Sequence, residues 1–154
     1  MKRASLTKIR IATTLCLAVF GGLTSTAKAD DKGCTNGSVQ GTFAYTSSGS
    51  IASPPEIAGP FVEVGSQYFD GKGSTTATAT LSQNGNILPI TVTGTYTVNS
   101  DCTGTMTLQV APIGVTVHVY FVVADSWNEF QAIETDAGLV ITRLGRRLIA
   151  GRTI

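Results

Sequence analysis

Between Gly41 and Leu148 apolar and polar side chains alternate with a period of two, the spacing at which successive side chains of an extended strand leave opposite faces. Eight runs follow this rule, over residues 41–47, 61–69, 75–82, 87–99, 105–111, 115–124, 129–135 and 139–148. Gly, Thr, Ser and Val dominate them, and strong helix formers never recur at a helical period, so the pattern predicts strands and at most short helices. The alternation also assigns faces. Tyr96 and Val98 oppose Thr95, Thr97 and Asn99, while Met106, Leu108 and Val110 oppose Thr105, Thr107 and Gln109. The strongest apolar face is Val115, Val117, Val119, Phe121 and Val123, with Thr116, His118 and Tyr120 pointing away from it.

The connections carry turn chemistry. Asp70-Gly71-Lys72-Gly73 and Gln83-Asn84-Gly85-Asn86 supply residues that tolerate positive φ between extended arms, and both read as hairpins. Pro112-Ile113-Gly114, Asp125-Ser126-Trp127-Asn128 and Asp136-Ala137-Gly138 do the same further on, so sequential antiparallel neighbours are expected throughout. Residues 48–60, with Pro54-Pro55 and Gly59-Pro60, are long and irregular enough to read as a functional loop. An open meander of Thr- and Val-rich strands would expose pairing edges, and closure removes them. The fold class expected is therefore all-β, an antiparallel meander of about eight strands closed into a barrel, with a two-sheet β-sandwich as the alternative.

The first thirty residues follow another logic. Met1-Lys2-Arg3, Lys8 and Arg10 precede an apolar run over residues 11–23, and Ala27-Lys28-Ala29 ends the segment. A charged start, an apolar stretch too short to span a bilayer and small residues at Ala27 and Ala29 read as a secretory signal peptide over residues 1–29, cleaved after Ala29. The expected location is secreted or periplasmic, with a single domain over residues 30–154 and no membrane span in the mature chain. Removing the leader leaves six cations against ten carboxylates, a net charge near −4 in place of the whole chain's +1. Nothing basic remains to attract a phosphate backbone, so no nucleic-acid partner is expected.

Cys16 leaves with the leader, and Thr13-Thr14-Leu15 before it lacks the small residue of a lipidated cysteine. Cys34 and Cys102 remain, in a compartment where thiols oxidise, and one intramolecular disulfide between them is expected. A single histidine and two paired cysteines cannot supply a zinc site, so neither metal nor cofactor is expected.

The blocks Gly41-Thr42-Phe43-Ala44-Tyr45, Phe69-Asp70-Gly71-Lys72-Gly73 and Gly94-Thr95-Tyr96-Thr97-Val98-Asn99, running into Asp101-Cys102-Thr103-Gly104-Thr105, together resemble a group of small secreted bacterial β-barrel proteins of unestablished function. The resemblance covers most of the mature chain, and it implies a barrel similar to the allene oxide cyclase or calycin-type barrels. It carries over no catalytic residue. The Gly-x-Trp signature of lipocalins proper is absent, since Trp127 follows Ser126 in a turn. The same blocks have plain physical readings. Asp70 can bond the amides of its own turn, and Gly94 and Gly104 mark bulges or corners where a curved sheet bends.

No catalytic constellation stands out. His118, the single histidine, would serve any acid–base chemistry at neutral pH, but its strand phase turns it away from the apolar face. Glu129 and Glu134 lie five apart and so leave opposite faces of one strand, and together with Glu63, Asp125 and Asp136 they read as solvated charges. Arg143, Arg146 and Arg147 read as protection of an edge strand, with an anionic partner as the alternative.

What remains is shape. A closed meander can hold one small apolar ligand, and the core faces offer Phe43, Tyr45, Tyr96, Val98, Phe121 and Phe130 as candidate lining residues. Ligand binding ranks first, an envelope or extracellular interaction module with a solid core second, and a cofactor-free cyclase or isomerase third. An open apolar cavity of about 300 Å³ or more would favour binding. An inward carboxylate or His118 with a shifted pKa beside a polar partner would favour the enzyme.

Overall fold

The computed structural model describes residues 33–148. The expected leader, with Cys16, lies outside them. Eight antiparallel strands follow one another: β1 (Gly41–Ile51), β2 (Gly59–Phe69), β3 (Ser74–Gln83), β4 (Asn86–Val98), β5 (Thr103–Ala111), β6 (Val115–Ala124), β7 (Glu129–Glu134) and β8 (Leu139–Arg147). Each pairs with its neighbour in sequence, and β8 returns to pair with β1, closing the barrel. The meander and its closure are as the alternation predicts. No open two-sheet sandwich forms, because the last strand has a partner.

The irregular segment expected over residues 48–60 is shorter than its composition suggests. Ser48, Gly49, Ser50 and Ile51 continue β1, and Gly59 and Pro60 open β2 opposite them. Only the short 3-10 turn Pro55–Ile57 and its flanks stand clear of the ladder. Gly94 pairs with Leu108 and Gly104 with Val98, in a register that runs through both without an inserted residue. Neither is a bulge. A Cβ on Gly94 would collide with the Thr107 carbonyl of the next strand, so the missing side chain is what lets the two backbones approach.

The interior is filled unevenly along the barrel axis. The end reached by the C-termini of β2, β4 and β6 is packed with rings: Phe43, Phe69 and Phe130 meet pairwise with centroids 5.5–5.8 Å apart, Tyr96 stands edge-on to Phe69 at 5.0 Å, and Phe121 joins Phe130 at 6.3 Å. Edge-to-face geometry suits their quadrupoles, and each fully buried ring contributes about 1.5–3 kcal/mol. This end is also stoppered. The 3-10 turn Asn36–Val39 sits ahead of β1 with Val39 fully buried, and Asn36 binds the β4 end through its side chain to the Val98 amide (2.7 Å) and its carbonyl to the Tyr96 hydroxyl (3.1 Å). The disulfide Cys34–Cys102, with Cα atoms 4.9 Å apart, ties this stopper to the β4–β5 turn, as expected.

Two charge assignments change. In a closed barrel β8 has no edge to protect, and its three arginines go to three places. Arg143 is buried inside, Arg146 pairs outside with Glu129 at 3.0 Å, and Arg147 lies over the Phe43 ring and donates to the carbonyls of Ser38, Gln40 and Trp127. Glu63 and Glu134 are not solvated turn charges. Both are buried within the barrel, at 3% and 8% exposure.

Candidate functional site

Above the aromatic layer the inward positions of β1, β2, β3, β7 and β8 become polar: Tyr45, Ser47, Glu63, Gln67, Thr75, Glu134 and Arg143 are all buried. They form one network. Arg143 donates from Nε to the Ser47 hydroxyl (2.9 Å) and from Nη1 to Gln67 Oε1 (3.4 Å), while its Nη2 lies 3.6 Å from Glu63 and 3.8 Å from Glu134. The guanidinium also faces the Tyr45 ring at 4.5 Å, and the Tyr45 hydroxyl donates to Glu63. Gln67 completes the belt by donating to Thr75 Oγ1 at 3.1 Å.

Register explains how such a bulky set fits. Tyr45 is flanked by Gly65 on β2 and Gly145 on β8, and Arg143 by Ala132 on β7, so each large side chain faces a small one. Two carboxylates against one guanidinium leave the belt with an excess of acceptors. Burial and then the Glu63 carboxylate push the Tyr45 phenol up, which keeps it a donor throughout the physiological range. Burial pushes the Glu134 carboxyl up to about 7, against the opposing pull of Arg143 and with added repulsion from Glu63 and Asp136.

Beyond this belt the barrel is hollow. A cavity of about 250 Å³ occupies the other end, walled by Phe61, Leu81, Ile90, Val92, Leu108 and Ile141 among others. Glu63, Glu134 and Arg143 are its polar floor, and Ser53, Pro54, Ile57, Ile113 and Val115 rim its mouth, all of them exposed. Residues of the supposed long loop therefore do reach the mouth. The volume falls somewhat short of the 300 Å³ expected of a drug-sized site, but cavities of about 150 Å³ already accept benzene.

The six candidate lining residues are all buried inside the barrel, but the structure places them in the packed part and not in the cavity wall. Phe43, Tyr96, Phe121 and Phe130 belong to the aromatic layer, Val98 lies at the stoppered end, and Tyr45 supports the floor from below through Glu63. His118 is turned outward, its side chain 54% exposed. Its backbone N–H and its Nδ1 meet the two carboxylate oxygens of Asp136 at 2.6 and 2.8 Å. Burial pushes Asp136 up, but the bonds from His118 outweigh it and hold the carboxyl below its usual range. Asp136 reaches the cavity rim and His118 does not. Among the described residues no three metal-ligating side chains come together.

Strand phase alone could have placed Glu63, Glu134 and Arg143 inside, since each shares a face with apolar neighbours: Phe61, Ala132 and Ile141. Charge type argued the other way, and a side chain's charge is the weaker guide when a partner can follow it into the interior.

No family model and no curated protein matches the sequence. Among solved structures, the chain is similar to a redesigned β-barrel, with a TM-score of 0.54 and 17% identity over 74% of this chain and 95% of that one. It is also similar to EF1p2_mFAP2b bound to DFHBI, with a TM-score of 0.52 and 15% identity over 72% of this chain and 94% of that one. At these identities the likeness is one of fold alone, that of a β-barrel.

Proposed function

We propose that this protein is an exported barrel that binds one small, largely apolar molecule in the open end of its interior. The observation that carries the reading is the division of the barrel: one end packed and stoppered, the other hollow, apolar and open above a buried polar floor. A solid-core module would extend the aromatic packing through both ends. The likeness to a barrel solved bound to DFHBI supports the reading as a precedent for a ligand in such a fold. Export rests on the character of residues 1–29 and agrees with a disulfide in the mature domain. The resemblance to secreted bacterial, calycin-type barrels belongs to the same proposal.

A second reading has an observation of its own. Glu134 is an inward carboxyl poised near neutrality beside Arg143, the arrangement a cofactor-free isomerase or cyclase would use to move a proton on a bound substrate. An envelope partner, in contrast, would have to use the outer wall, where Val64 and Val140 stand exposed.

Native mass spectrometry of the protein purified from its producing host tests the proposal. The expected result is a chain beginning at Asp30 that carries a small-molecule adduct. A bare chain that also fails to take up toluene would overturn ligand binding, and a partner subunit in the spectrum would favour the interaction module. If a bound compound is recovered chemically altered after incubation, the isomerase reading gains.

A further inference from the structure

Resting on the cavity reading above, we infer that the ligand is a small amine: an apolar body in the hollow end, with a cationic nitrogen seated on the floor against Glu134 and Glu63.

The floor is unequally satisfied. Arg143 spends Nε on Ser47 and Nη1 on Gln67, both on the β1–β2 side, and Glu63 receives Tyr45 as well as Arg143. Glu134 has only the Arg143 Nη2 at 3.8 Å, and its carboxyl takes part in no hydrogen bond among the described residues. Yet its side chain is only 7% exposed and it forms part of the cavity lining. With both carboxylates ionised the floor carries one uncompensated negative charge in surroundings walled by aliphatic side chains, and a buried charge needs a partner. A cationic nitrogen supplies both the charge and the missing N–H donors. A ligand carboxylate would instead bring a third anion to a single guanidinium that is already engaged.

The groups facing Glu134 give the proposal a pH signature. Arg143 comes from β8, Glu63 from β2, Tyr45 lies beyond Glu63 on β1, and Asp136 follows on its own connection with His118 of β6 bonded to its outer side. The net result of burial and these charges is a carboxyl titrating at about 7. A bound cation favours its ionised form, so amine affinity should rise with pH up to that point and level off above it. The size of the cavity sets the body. Space of about 250 Å³, against the roughly 150 Å³ that accepts benzene, suits one ring and a short head.

The test compares benzylamine, benzyl alcohol, benzoate and toluene by titration calorimetry on the disulfide-bonded protein at about pH 6 and about pH 8. Benzylamine should bind most tightly of the four at the higher pH and gain about tenfold between the two, as binding restricted to an ionised carboxyl of pKa near 7 requires. Benzyl alcohol and toluene should change little, and benzoate should bind least. The substitution Glu134→Gln should remove both the pH gain of the amine and its advantage over benzyl alcohol at about pH 8. Benzoate as the tightest ligand, or an amine affinity that ignores both pH and the substitution, would overturn the inference while leaving the cavity reading in place. Failure of all four probes to bind, toluene included, would bring down both.

Discussion

Glu134 and Arg143 show how one residue inside the barrel sets a property of the whole chain. A carboxyl whose pKa rises from 4.5 in the unfolded chain to about 7 in the fold binds its proton more tightly when folded. Its contribution to stability is therefore complete below about pH 4.5 and is lost as pH rises through 7, a difference of about 3 kcal/mol at most. Glu134→Gln removes this titration. Urea denaturation should thus show the variant gaining on the parent protein as pH climbs from 4.5 to 7, with no further gain above. Removing Arg143 acts in the opposite sense. Arg143→Met would leave Glu63 and Glu134 buried without a cation and should cost about 3–5 kcal/mol at pH 8, and less at pH 5, where Glu134 carries a proton. A pH-independent loss would show that the belt is held by packing and not by charge. At this scale the sequence was least legible. Val, Phe and Met announce their burial by type, whereas Glu63 and Arg143 are buried against type, each because the other is, and that mutual condition spans β2 and β8, far apart in the chain.

The strands themselves were readable because period-two alternation and turn chemistry agree along most of the chain. Asp70 illustrates it: one side-chain oxygen accepts from the amides of Lys72, Gly73 and Ser74 at 2.7, 2.9 and 2.9 Å, the local turn its position implied. Where the two signals conflicted the reading failed, as in residues 48–51, whose Ser and Gly suggested a loop although the Val- and Phe-bearing β2 strand was available to pair with them. The interior glycines are the other feature that only three dimensions reveal. Gly145 on β8 pairs with Phe130 on β7 and Tyr45 on β1, and a Cβ there would enter the Phe130 ring. Gly145→Ala should therefore force the ring from its rotamer and cost about 1–3 kcal/mol, seen as a lower urea midpoint with an unchanged slope. Gly85, whose Cβ would meet nothing, shares the turn chemistry but not this role, and at its positive φ of 85° Gly85→Asn should cost only backbone strain, about 1 kcal/mol, with no clash.

Over the whole molecule, the two ends of the barrel divide the work of holding the fold from the space left for a ligand. Closure was foreseeable, since an open meander of Thr- and Val-rich strands has edges to hide; the position of the hollow was not, because it depends on which strand ends carry rings and which carry aliphatic chains at the same height. That division makes a prediction. The disulfide closes a 68-residue separation at the stoppered end, where reducing it or replacing Cys34 and Cys102 by serine frees the segment ahead of β1 and enlarges the unfolded ensemble. Stability should fall by about 2–4 kcal/mol, visible as a lower Tm. The cavity walls lie at the other end of the same strands, beyond the aromatic layer and the polar belt, and none of them touches the bridge. Toluene affinity measured well below the lowered Tm should accordingly stay within about twofold of the oxidised protein, since no wall residue moves and a twofold change is below 1 kcal/mol. A parallel loss of stability and affinity would instead mean that the rings and the belt transmit strain along the barrel axis, and that the hollow end is kept open by the stopper at the far end.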